Sequence, residues 1–147
     1  MANTEPVDFH FLESVTLKNR LTLKSFLRKL FKKEGIPMES LRYIFCSDDY
    51  LLDINRQYLQ HDYYTDIITF NLAEPKHAVA GEIYISIDRV KENARQFETT
   101  LTDELHRVIF HGVLHLCGYK DKTKKEEELM RSKESSCLTA YKKYLAK

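Results

Sequence analysis

Two histidines four residues apart, His111 and His115, are followed by Gly118 and Asp121 in the last third of this 147-residue chain. On an α-helix, residues four apart share a face, so the two imidazoles aim at a common point. A glycine just past a helix end takes the left-handed conformation at little cost and turns the chain back, which lets Asp121 return towards that point. Two neutral imidazoles and one carboxylate, with a fourth position open to water, suit catalytic zinc, whereas structural zinc usually takes four protein ligands. The spacing therefore predicts a divalent-metal site made of His111, His115 and Asp121, holding one Zn2+ per chain. The competing reading has two ordinary helix histidines and an Asp121 that merely caps the helix starting near Thr123.

The segment resembles the long zincin signature, His-Glu-x-x-His-x-x-Gly-x-x-His, with two replacements. Gly112 stands where those peptidases carry a general-base glutamate, and Asp121 stands where they carry a third histidine. The first replacement removes the group that activates water for peptide cleavage. The second keeps a metal-competent donor and makes the site more negative. Cys117 lies two residues beyond His115, on another face of the helix, and is expected off the metal.

The elements that must position these residues follow from apolar periodicity. Val7, Phe9 and Phe11 alternate with Asp8 and His10 as in a half-buried strand, which leaves His10 on the surface. Leu23, Phe26, Leu27, Leu30 and Phe31 form one stripe of a helix that stops before Gly35 and Pro37. Leu41 to Cys46 reads as a more central strand, and Ser47 or Asp48 can cap a helix carrying Leu51, Ile54 and Tyr58. Asp66 to Leu72 reads as a strand with Ile68, Phe70 and Leu72 on one face. A turn through Glu74 to His77 leads to a strand opened by Gly81, with Ile83, Ile85 and Ile87 alternating with Tyr84 and Ser86. Asp88 is expected to cap the next helix and Thr102 the histidine helix, whose buried side is Leu105, Val108, Ile109 and Leu116. His106 faces away from the proposed ligands, in a surface or structural role. Thr123-Lys-Lys-Glu126 is a capping box that opens a C-terminal helix. The order βαβαββααα makes an α+β fold: a small mixed four-stranded sheet packed with about five helices, in one domain spanning 1–147, with a zincin-like metal helix behind the sheet.

Composition narrows the function classes. With 43% hydrophobic residues the chain can bury a full core, and its four glycines and three prolines leave little room for long linkers. No apolar run approaches the roughly 20 residues that span a bilayer, and the N-terminus lacks the character of a signal peptide, so a cytoplasmic protein without membrane contact is expected. Cys46, Cys117 and Cys137 are odd in number and scattered, as reduced core thiols are. A net charge of +1 gives no overall field to hold nucleic acid, so any RNA binding must be local, and no DNA binding is expected. Lys120 and Lys122 flank Asp121 and are candidate phosphate contacts, although Glu126, Glu127 and Glu128 follow and cancel part of their field.

Three blocks together resemble one known family, the YbeY endoribonucleases, which process and check small-subunit ribosomal RNA. The family signature His-Gly-x-Leu-His-Leu-x-Gly-Tyr-Asp-His is matched at His111, Gly112, Leu114, His115, Leu116, Gly118 and Tyr119. A second block, Asn-x-x-Tyr-Arg-x-x-Asp-x-x-Thr-Asp-Val-Leu-Ser-Phe, is matched at Asn55, Tyr58, Asp62, Thr65, Asp66 and Phe70. Gly81 to Ser86 is similar to the family's Gly-Asp-Ile-x-Ile-Ser strand. The resemblance implies a metal-dependent endoribonuclease specific for single-stranded RNA, working in ribosomal RNA maturation and ribosome quality control with the small subunit as partner.

Two departures stand out. Asp121 replaces the family's third histidine, and Leu59 replaces an arginine able to hold phosphate bidentately. Arg56, one turn earlier, is a candidate substitute, the other reading being a plain surface arginine; His61 is a further candidate polar residue of the cleft. No general base is assigned. The alternative function is a non-catalytic, metal-binding ribosome-assembly factor in which Leu59 marks lost cleavage.

Overall fold

A computed structural model describes residues 6–147. Its elements are β1 (Val7–Phe11), α1 (Arg20–Glu34), β2 (Met38–Cys46), α2 (Asp48–Leu59), β3 (Ile67–Asn71), β4 (Val79–Ser86), α3 (Ile87–Gln96), α4 (Leu101–Leu116) and α5 (Lys124–Leu145). The four strands form one sheet in the order β1-β2-β4-β3, parallel across β1, β2 and β4, with β3 antiparallel on the edge. The mixed α+β fold expected from the periodicity is the one observed.

Alternation along the strands separates two apolar faces. Ile83 and Ile85 of β4 point into the main core, where they meet Leu23, Leu27 and Phe31 of α1, Leu105, Ile109 and Val113 of α4, and Met130 and Tyr141 of α5. Ile68, Phe70 and Tyr84 pack on the other face against Leu51 and Ile54 of α2. The end of β2, β3 and β4 are therefore covered on both sides, whereas Asp8, His10 and Arg42 leave the second face of β1 and the start of β2 exposed. The interior position of β2 explains its continuously apolar end, Tyr43 to Cys46, which is buried throughout.

Helix α4 sits against the sheet at Gly112. A Cβ added there would meet Ile83 Cδ1 at 2.8 Å and Ile67 Cδ1 at 3.1 Å, so any larger residue at this position forces those side chains to shift. The residue that departs from the peptidase pattern is thus the one that lets the histidine helix approach the strands.

Several local expectations shift. Asp88 does not cap α3; Ser86 does, accepting the Arg89 N–H at 3.2 Å, while Asp88 accepts the Asp48 N–H at 2.9 Å. Thr102 does not cap α4; Thr100 does, accepting the Asp103 N–H at 3.0 Å. In both cases a hydroxyl two residues upstream lies at the true helix start and takes the cap. Leu72 falls just beyond β3 and is exposed, as is Tyr58 on α2. The capping box of Thr123 and Glu126 is present, so Asp121 is not a helix cap. All three cysteines are free thiols, and no described helix is long and apolar enough to cross a membrane.

Candidate metal centre

The histidines occupy the last two turns of α4, which ends in a Schellman motif. The Gly118 N–H bonds the His115 carbonyl at 3.0 Å and the Tyr119 N–H bonds the Leu114 carbonyl at 3.0 Å, with Gly118 at φ 102°. That left-handed residue reverses the chain and carries Asp121 back over the helix end. Asp121 Oδ2 lies 3.3 Å from His111 Nε2 and 3.2 Å from His115 Nε2. Among the described residues, this is the group that could hold a metal ion, with its donor atoms within 4.8 Å of one another. Two ligands each about 2.1 Å from a tetrahedral ion stand about 3.4 Å apart, so the observed separations match edges of such a site.

The protonation pattern is set from behind. His115 Nδ1 lies 3.0 Å from the Tyr119 carbonyl, which only accepts, so the ring's proton belongs on Nδ1. His111 Nδ1 lies 2.5 Å from Glu134 Oε2, a carboxylate, and its proton belongs on Nδ1 too. In the neutral form with its proton on Nδ1, each ring turns an Nε2 lone pair towards the same acid oxygen. In that state the three donors converge on one point, the arrangement a divalent cation takes.

Glu134 is 2% exposed and belongs to a buried ion network. Arg107, one turn before His111, donates to Glu134 at 3.0 Å, donates twice to Glu104 at 2.6 and 3.0 Å, and lies 3.7 Å from Asp66. Burial alone would push the Glu134 carboxyl up, but the His111 hydrogen bond and the Arg107 charge outweigh it and hold the group below its ordinary range. Asp66 goes the other way: burial pushes its carboxyl up, against the opposing pull of Arg107 and His111. Cys117 faces elsewhere, and burial pushes its thiol up to about 12.

The cluster opens into a cleft of about 960 Å³ that also takes in Asp66, Arg107, Lys122 and Arg131. Of the candidate phosphate contacts, Lys122 lines this cleft, while Lys120 is exposed outside its lining. Arg56 is also outside the lining; its guanidinium is committed to Asp62 at 2.5 Å and sits 3.9 Å from Asp53. Leu59 does line the cleft, and so does His61. His106 is buried edge-on against Tyr141 at 5.1 Å, a structural role.

Glu134 and Arg107 carry no role in the sequence reading, yet a signal for each is present. On α5 the buried residues run Met130, Glu134, Cys137, Tyr141, so an acid occupies an otherwise apolar stripe. On α4, Glu104 and Arg107 stand three apart, and Glu104 is buried among apolar neighbours.

The profile of the family described as Endoribonuclease YbeY matches residues 12–142. The chain belongs to the YbeY endoribonuclease family. It is 53% identical over 137 residues to an Endoribonuclease YbeY of Cytophaga hutchinsonii, covering 92% of this chain and 96% of the relative. It is 56% identical over 104 residues to one from Phocaeicola vulgatus, covering 71% and 75%. A solution structure of a Thermotoga maritima protein matches with a TM-score of 0.59 at 33% identity, over 90% of this chain and 88% of that one. YbeY membership gives the His-Gly-x-Leu-His block of α4 its context.

Proposed function

We propose that this chain is a zinc-dependent endoribonuclease that cuts single-stranded RNA in small-subunit ribosomal RNA maturation and ribosome quality control. The observation that carries the reading is the convergence of His111 Nε2, His115 Nε2 and Asp121 Oδ2, each histidine having its other nitrogen already engaged. These three would hold the ion, and bound zinc supplies Lewis-acid polarisation of a phosphodiester. The protein's own residues do the rest. Glu134 and the Tyr119 carbonyl fix the ring tautomers and aim, and Arg107 keeps Glu134 ionised in a buried position. Lys122 brings positive charge to the same cleft for the RNA backbone. Asp66, whose carboxyl burial pushes up from its ordinary value, lines the same cleft and is the group placed to exchange a proton there.

The test is a cleavage assay with metal-analysed protein on unstructured and duplex RNA. Wild-type protein is expected to carry zinc and cut the unstructured RNA, with His115→Ala inactive; equal cutting by both would overturn the reading. A second reading, a non-catalytic assembly factor, is favoured by Leu59 and by the engagement of Arg56 with Asp62. It requires that metal-loaded wild-type protein bind RNA without cutting it.

A further inference from the structure

Single exposed apolar residues are ordinary, but exposed aromatic rings grouped in one cleft beside a candidate metal cluster mark a binding groove. Tyr63 is 56% exposed and Phe97 is 52% exposed, and both line the cleft that contains the metal cluster. Neither is a loose side chain. The ring of Tyr63 stacks on that of His61, 5.1 Å between centroids at 21°, and its hydroxyl bonds His61 Nδ1 at 2.9 Å.

The loop carrying this pair is held to α2. Asn55, 2% exposed, donates from Nδ2 to the Tyr63 carbonyl at 2.9 Å and accepts the His61 N–H on its own carbonyl at 3.1 Å. Arg56 clamps the intervening Asp62. Phe97, at the end of α3, has the Arg131 guanidinium 6.0 Å from its ring centre, and Arg131 also lines the cleft. Each platform thus pairs a flat ring with a second planar or cationic group.

We propose that the His61–Tyr63 pair and Phe97 with Arg131 are two stacking shelves for unpaired bases of an RNA strand lying in the cleft. The occupant is a single strand because a duplex keeps its base faces stacked inside the helix, whereas an unpaired base offers its π-face to a protein ring. The charge fits as well: Lys122 and Arg131 accompany the rings, and either can meet phosphate. The shelves also account for the departures on α2. Leu59 leaves the strand without an arginine clamp at that point, and Arg56 works by pinning the loop that presents Tyr63. The inference rests on the endoribonuclease reading for the identity of the strand.

The experiment measures affinity for short unstructured RNA with chelator-stripped full-length protein, so that binding is read without cleavage. Tyr63→Leu and Phe97→Leu are each expected to weaken binding roughly tenfold. Tyr63→Phe, which keeps the ring, is expected to bind nearly as wild type. An oligonucleotide with one base removed at the stacked position should bind wild type and Tyr63→Leu alike. Both variants change exposed residues, and an unaltered melting temperature confirms their folding. Wild-type affinity in both leucine variants, or an equal loss on the abasic strand, would overturn the proposal. Metal-loaded wild-type protein assayed in parallel separates the two claims: cleavage with unaffected leucine-variant binding sinks the shelves alone, and tenfold losses without wild-type cleavage sink the nuclease reading alone.

Discussion

The floor of the cleft and its rim are built on opposite principles. On the floor, α4 and α5 bury charged residues whose hydrogen bonds leave little freedom: Arg107 serves three carboxylates, and Glu134 serves both Arg107 and His111. On the rim, between α2 and β3, the charged groups are exposed and pair with one another, and aromatic rings face solvent. A buried ion pair that loses one partner leaves an uncompensated charge in the interior, whereas an exposed pair loses only a screened attraction. The candidate metal centre is therefore held rigidly from below while the rim of the cleft stays open.

That contrast can be broken most forcefully on the floor. Arg107→Met strands Glu104 and Glu134 without their cation, and such losses cost about 3–5 kcal/mol. A fall in melting temperature on the order of 10 °C is expected by calorimetry. Gly112→Ala comes next: its methyl collides with Ile83 and Ile67, an overpacking worth about 1–3 kcal/mol in denaturant unfolding. Glu134→Gln keeps the shape but removes the charge that holds the His111 proton on Nδ1. Zinc affinity, read by competition with a chromophoric chelator, is expected to fall about 10- to 100-fold.

The same glutamate gives the contrast a pH signature. Its folded-state pKa lies below the ordinary 4.5, so it contributes stability above that value and loses it as pH falls through the folded pKa. Acid unfolding of metal-free wild type should steepen below about pH 4.5, and Glu134→Gln should flatten that limb. The rim yields the smallest effects. Lys122→Ala is expected to reduce the salt slope of RNA binding by about 0.7. Arg56→Ala should leave that slope unchanged, because its charge is spent on Asp62 outside the cleft.

How much of this could be read in the chain depends on the range of the interaction. Element order and the sheet's interior strand follow from apolar periodicity, and the three donors lie within 11 residues, from His111 to Asp121, in one helix and its turn. The caps of α3 and α4 are ambiguous in the chain because each true cap, Ser86 or Thr100, has another capping-type residue two positions later. Glu134 lies 23 positions from His111 on a different helix, and no local spacing joins them. The helix that carries Arg56 is legible from its apolar stripe, but the commitment of its guanidinium depends on where the loop brings Asp62. Tyr63 and Phe97 come together in one cleft only through the packing of α2 and α3 around the sheet.

In the proposed centre, His111 Nε2, His115 Nε2 and Asp121 Oδ2 converge as unprotonated donors on one cation. Crystals of zinc-loaded protein, measured on both sides of the zinc absorption edge, test it most directly. The account requires a single anomalous peak within about 2.0–2.2 Å of those three atoms, with both Nδ1 atoms still turned to Glu134 and the Tyr119 carbonyl. A zinc-loaded crystal with its peak elsewhere, or with either histidine coordinating through Nδ1, would contradict it.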